Sequence, residues 1–346
     1  MILIGFLHQR KNPEAVKKAF AYAAVAKAEG ATLLYFSPKC VDFVNEKING
    51  YIYEDGTWLQ TESRFPDVIY NTGCPEKLNR SKEVINKLKE RIPFTSYSVG
   101  RKKKVYERLK NEKEFSDYLI PQENMESTEI FLEFLEFYER IVFKPVNGRK
   151  GQEIMFIETK GNEYHVIENK ESSTYKLDEL CQIISTKIHE KAYIAQPYIN
   201  CRTKDNVVYD IRLHVQKNYN DQWHITSIYP RFAPHGTIVT NINSNGSTNY
   251  LLPFLEQEFP DSYYDIKCYL EHFALQLAEH LDSIQEKYFC ESLDELGIDV
   301  ALDDRQKIWI YEVNWLPGCP PTFYLELDVV KNLIYYAIFL AQKGKL

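Results

Sequence analysis

The sequence predicts an α/β protein assembled from α+β lobes, and three observations carry that. The chain opens with a strand, a helix and a strand. It ends in two apolar strand-forming runs joined by a polar turn. At 346 residues it exceeds what one core ordinarily serves, so two or three lobes are expected. The opening strand is 2–7. Asn12 then caps a helix with Pro13 at its first position, and the alanine-rich run to Glu29 stops at Gly30. Residues 31–36 return as a second strand, which implies a parallel pair. Residues 50–59 form a hairpin around Asp55-Gly56, 67–70 a buried strand and 81–90 a helix. No Gly-x-Gly-x-x-Gly follows the first strand, so a dinucleotide-binding fold has no support.

The pattern weakens between Pro93 and Gly100, and the expected domains are 1–100, 101–200 and 201–346. Arg101-Lys102-Lys103-Lys104 starts a helix with dense positive charge, where the helix dipole disfavours it, unless an anion is held there. Lys144 stands at the end of a strand. A turn with Gly148 and Gly151 follows, then a strand at 152–158. Glycines let backbone N–H groups approach a phosphate, although this is not a Walker loop. Residues 192–199 are a short strand interrupted by Pro197, which leaves backbone groups free for a heterocycle. Residues 207–215 alternate, so Asp210 and Arg212 share a face with His214. The partner strand is 223–229, with Arg231 just beyond it. Alone, Asp210 and Arg212 read equally as a cross-strand charge pair. Residues 262–290 form a long amphipathic helix, whose His272 and His280 serve surface or packing roles, and 327–342 a last helix.

The chemistry concentrates near the end. In Trp309-Ile310-Tyr311-Glu312-Val313-Asn314-Trp315, period-2 alternation puts Glu312 and Asn314 on one face. The run 296–302 carries Asp299 in its middle, and the turn 303–307 folds the two into a hairpin. Asp299, Glu312 and Asn314 then meet as three oxygen donors without thiol or imidazole, a set suited to Mg²⁺.

Composition narrows the function classes. A net charge of −7 and a pI near 5.7 argue against a general nucleic-acid binder. The 7 cysteines are odd in number, widely spaced and without a Cys-x-x-Cys, so neither zinc nor a disulfide framework is indicated. No apolar run approaches about 18 residues, and the start lacks the form of a signal peptide, so no membrane span and a cytoplasmic location are expected.

This order of parts resembles the ATP-grasp superfamily: an N-terminal βαβ (pre-ATP-grasp) domain, then two α+β lobes that enclose a nucleotide. The most specific stretches are Gly297-Ile298-Asp299 and Glu312-Val313-Asn314-Trp315-Leu316-Pro317-Gly318. Within the superfamily the chain looks like the YheC/YheD-type spore-coat-associated group. The residues behind this are 48–58, Pro66 to Tyr70, and Tyr209-Asp210-Ile211-Arg212 with Val215 to Asn218.

The resemblance implies ATP and Mg²⁺. Lys102 (or Lys104, one helix register on) and Lys144 would contact phosphate under the turn holding Gly148 and Gly151, and Gln196, Pro197, Tyr198 and Ile199 would line the adenine. Asp210 and Arg212 match the superfamily's D-x-R strand, with Asp210 counted in the nucleotide set. Asp299, Glu312 and Asn314 would carry the metal. Gln196 replaces a common glutamate, Arg149 and Lys150 are bulky for a covering turn, and Gly297 stands where related ligases often place arginine. Arg212 or Arg231 is therefore the expected activating arginine.

The activity implied is carboxylate–amine ligation through an acyl phosphate. Its substrates would be small molecules or a peptide bordered by 241–249 and 319–324, with spore-coat proteins as further partners. The rival reading is a structural adaptor that binds nucleotide without turnover.

Overall fold

The structure is a computed structural model describing residues 1–72, 79–95, 97–147, 153–168, 171–218, 220–234 and 246–318. The chain divides into two compact units. The first holds Met1–Ser98 and Gln285–Asp294 with 316–318, the second Val99–Ile284 and Glu295–Trp315.

The first unit is built on β1 (Leu3–Leu7), α1 (Lys17–Ala28), β2 (Thr32–Phe36), β3 (Val41–Asp42), β4 (Lys47–Glu54), β5 (Thr57–Arg64), β6 (Val68–Asn71) and α2 (Asn79–Lys89). β1 pairs in parallel with β2 and β6, as the β-α-β reading requires. Leu7, Leu34, Phe36, Ile48 and Ile69 pack in one core with Ile85 and Leu88 of α2. Phe6, Leu33 and Tyr35 pack in another with Ala19, Ala23 and Ala26, whose small side chains let α1 lie close. The expected first helix is divided. Asn12 Oδ1 accepts the Glu14 N–H at 2.9 Å, but this cap closes only a 3-10 turn over Pro13–Ala15. Val16 leaves helical geometry at φ −129°, and α1 restarts at Lys17. The hairpin turns at Asp55 (φ 47°) and Gly56 (φ 82°), positive at both positions as a two-residue turn needs.

The second unit opens with α3 (Lys102–Glu112), β7 (Glu123–Met125), α4 (Thr128–Tyr138), β8 (Arg140–Pro145), β9 (Met155–Lys160), β10 (Glu163–Glu168), β11 (Glu171–Tyr175), α5 (Leu177–Glu190) and β12 (Tyr193–Pro197). Its first sheet runs β11-β10-β9-β8-β12-β7. Phe131 and Leu135 of α4 and Leu180 and Ile184 of α5 pack with Ile141 and Phe143 of β8. The strand after the glycine turn starts at Met155, and 148–152 lie outside the described residues.

Then follow β13 (Tyr209–Lys217), β14 (Trp223–Phe232), β15 (Ser247–Thr248), α6 (Leu251–Glu258), α7 (Tyr263–Phe289), β16 (Glu295–Leu302) and β17 (Ile308–Trp315). The second sheet runs β15-β14-β13-β16-β17. In α7, Leu270, Phe273, Ala274, Leu277, Ala278 and Leu281 are all buried, as their helical spacing predicts. β14 runs on past Tyr229, so Arg231 lies inside the strand, opposite Asp210, rather than beyond it. The helix expected at 327–342 lies outside the described residues.

Candidate functional site

On β13 the period-2 alternation sends Ile211, Leu213 and Val215 to one face and Asp210, Arg212 and His214 to the other. Neighbouring strands place charges on the polar face in register. Asp210 stands opposite Arg231, Arg212 opposite Asp299, and Asp299 opposite Glu312. A bulge after Asp299 shifts the β16–β17 register by one residue.

Arg231 donates from Nε and Nη2 to the two oxygens of Asp210, both at 2.7 Å, and its Nη2 lies 3.0 Å from Asp299 Oδ2. Arg212 donates from Nη2 to the same Asp299 oxygen at 3.0 Å and from Nε to Asp299 Oδ1. All four residues are at most 8 % exposed. Two acids and two guanidinium groups alternate, so no charge is buried uncompensated. Burial opposes the charge on Arg231, but the carboxylates of Asp299 and Asp210 outweigh it and raise its pKa further.

Beside this ladder lie the other two expected metal ligands. Asn314 Nδ2 donates to Glu312 Oε1 at 2.8 Å and to Asp299 Oδ2 at 3.3 Å, so the trio foreseen from the hairpin converges. Glu312 also forms an ion pair with Lys102 in the first turn of α3. The N-cap of that helix, Arg101, makes no side-chain capping bond. Lys102 rather than Lys104 is therefore the lysine at the acids. Crowding lowers its pKa and the charge of Asp299 opposes this, but at 61 % side-chain exposure the effect is weak.

Lys144 comes from the first sheet of the same unit. In β8, Ile141, Phe143 and Pro145 turn to the core, and Lys144 takes the opposite face. It is half-buried. Lost solvent, and then the charge of Lys102, push its pKa down to about 8. Across the ladder Lys144 pairs with Ile194 and Val142 with Gln196, so Lys144 and Gln196 share a face. β7 pairs only with Tyr193 to Ala195, so the ladder on that side stops short of Gln196 and Pro197, as an interrupted hinge strand requires. The Gln196 amide is not free: Nε2 donates to Gln122 Oε1 at 3.2 Å. Tyr198 N–H bonds Arg140 O at 2.9 Å and its hydroxyl accepts from Arg202 Nε at 3.0 Å, while Ile199 is half-buried. Gly148 and Gly151 lie outside the described residues, as do most of 241–249 and all of 319–324.

Chemically, this is a row of acids and an amide with Lys102 paired to it, and Lys102 in turn repels Lys144. Among the described residues no group of three His, Cys, Asp or Glu side chains is placed for a metal. Asp299, Glu312 and Asn314 form instead a set of two acids and one amide. Once Asn314 presents its oxygen, every donor is hard, which fits Mg²⁺. Sequence reasoning missed the Asp210–Arg231–Asp299 continuity and a buried pair, His214 Nε2 and Glu295 Oε1 at 2.8 Å. The only signal was the alternation of charged residues along these strands.

The chain is similar to known proteins along most of its length. The endospore coat-associated protein YheC of Bacillus subtilis is 26 % identical over 338 residues, covering 92 % of this chain and 89 % of that protein. The endospore coat-associated protein YheD of the same organism is 21 % identical over 359 residues, covering 98 % and 78 %. Among solved structures, the C-terminal domain of K. lactis Pby1, described as an ATP-grasp enzyme, aligns at a TM-score of 0.50 with 11 % identity, covering 95 % of this chain and 90 % of that one. Residues 91–340 match the family described as YheC/D-like ATP-grasp, and the chain belongs to that family.

Proposed function

We propose that this chain is an ATP-dependent carboxylate–amine ligase that works through an acyl phosphate and releases ADP. The observation that carries it is the ion pair of Lys102 with Glu312, within the Asp299–Glu312–Asn314 set, together with the charge of Lys102 acting on Lys144. Two ammonium groups that repel each other, one of them short of solvent, favour a polyanion between them.

In this reading the lobes 101–200 and 201–346 enclose the nucleotide, with 1–100 as the preceding domain. Lys102 and Lys144 hold its phosphates, the turn with Gly148 and Gly151 covers them, and Gln196 to Ile199 border the base. Asp299, Glu312 and Asn314 hold Mg²⁺, which when bound neutralises phosphate charge. A substrate carboxylate oxygen attacks the γ-phosphorus, the bond to the β-phosphate oxygen breaks, and ADP leaves. An amine nitrogen then attacks the acyl carbon, the C–O bond breaks, phosphate departs with the electron pair, and the nitrogen gives up a proton. Arg212 and Arg231, fixed by Asp210 and Asp299, present positive charge to the developing oxyanions. Losing one such cation costs on the order of 3 kcal/mol in the barrier.

ADP release measured across carboxylate and amine pairs, peptides included, tests the reading. Turnover that Lys144→Met and Glu312→Gln abolish supports it, and turnover unchanged in Glu312→Gln contradicts it. The names of the Bacillus relatives favour a second reading, a coat-assembly adaptor that binds nucleotide and does not turn it over. Tight analogue binding with no ADP formed from any pair would select it.

A further inference from the structure

The acids proposed to hold metal are already engaged. Asp299 Oδ1 accepts from Arg212, and its Oδ2 from Arg212 and Asn314 with Arg231 Nη2 at 3.0 Å. Glu312 accepts from Lys102 on one oxygen and Asn314 on the other. A divalent cation cannot simply be added to this set. It must move Lys102 off Glu312 and turn the Asn314 amide, whose Nδ2 points at both carboxylates. The arginines are buried and bidentate, whereas Lys102 is largely exposed, on one point contact in the first turn of a helix. Lys102 is therefore the counter-ion that gives way. Once displaced it loses the carboxylate that offsets its charge, while its repulsion with Lys144 remains. A polyphosphate between the two amines removes that opposition.

We infer that Lys102 is an internal counter-ion that reserves the Asp299–Glu312 pair for a metal–polyphosphate complex, because its ion pair with Glu312 must be exchanged for phosphate before the metal is held. This deepens the nucleotide reading and rests on it. A lysine that only bound phosphate would leave the affinity for free metal untouched. A lysine that occupies the metal's carboxylate weakens it. By linkage, metal and nucleotide then strengthen each other by one common factor.

The test uses the full chain, Mn²⁺ followed by its electron paramagnetic resonance signal, and a non-hydrolysable ATP analogue. The wild type is expected to hold Mn²⁺ about tenfold or more tightly with the analogue than without, within the usual range of coupling. In Lys102→Met, Mn²⁺ alone should bind about threefold or more tightly, the analogue more weakly, and the enhancement should shrink. Lys103→Met, the same charge change on the neighbouring residue, should leave Mn²⁺ affinity as in the wild type.

The inference is overturned if wild-type protein binds Mn²⁺ equally well with and without the analogue, a result that needs no variant. It is also overturned if folded Lys102→Met shows unchanged affinity for Mn²⁺ alone. Absence of any binding of the Mn²⁺–analogue complex to the wild type would instead remove the nucleotide reading beneath it.

Discussion

At Lys144 the fold works against the charge it holds. Its pKa is brought down to about 8, first by lost solvent and then by Lys102. The folded value lies below the unfolded one, so between about pH 8 and 10.5 the unfolded chain binds more protons and stability rises with pH. Below that window the full penalty stands. Lys144→Met is therefore expected to raise the melting temperature at pH 7 and to lose that advantage near pH 10, while weakening binding of an ATP analogue. Wild-type affinity for the analogue should fall as pH rises through about 8, because the free protein loses the proton that bound phosphate would retain. Thermal melts at pH 7 and 10 read the stability effect, and titration calorimetry at pH 7 and 9 reads the binding. At Asp299 the expectation is opposite in sign. Asp299→Ala removes the carboxylate that Arg212 and Arg231 both pair with, and stranding buried charge costs about 3–5 kcal/mol, measurable by urea unfolding. Much of the site was legible at this scale, since alternation alone sets Glu312 and Asn314 on one face and Asp299 beside them. What neutralises them was not legible. Period 2 fixes a face but says nothing of which distant element covers it, and Lys102 comes from some two hundred residues upstream.

Among the elements, hairpins were readable wherever the turn carried its own chemistry. Gly56 has φ +82° with nothing near its missing Cβ, so Gly56→Ala should cost about 1 kcal/mol from backbone conformation alone. Gly50 in β4 differs. A Cβ there would lie 2.7 Å from both Leu34 Cδ1 and the Tyr35 backbone oxygen, which cannot yield without moving β2. Gly50→Ala is expected to be the more destabilising of the two in thermal melts. The missed elements had weaker signals. β11 is Glu-Ser-Ser-Thr-Tyr and nearly all exposed, so it offers no apolar alternation to detect. α4 is dense in phenylalanine and tyrosine, whose middling helix propensity leaves the decision to Ser127 as N-cap and to packing on β8. The first helix was read too long because a good cap at Asn12 does not guarantee that the turn propagates past Val16.

For the molecule as a whole, the sequence foretold α/β architecture and family together, because the motifs that define the site also mark the strands that carry it. Nucleotide and metal bind the native chain in this account, so they should stabilise it by linkage. A Mg²⁺–analogue complex at one hundred times its dissociation constant adds about 2.7 kcal/mol and raises the melting temperature. The most direct measurement of the central claim is calorimetric titration of Mg²⁺ and a non-hydrolysable ATP analogue into wild type, Lys144→Met and Glu312→Gln. One site per chain is expected, with each substitution weakening it about tenfold or more. Wild-type protein that takes up no analogue, or variants that bind it as tightly as wild type, would contradict the account.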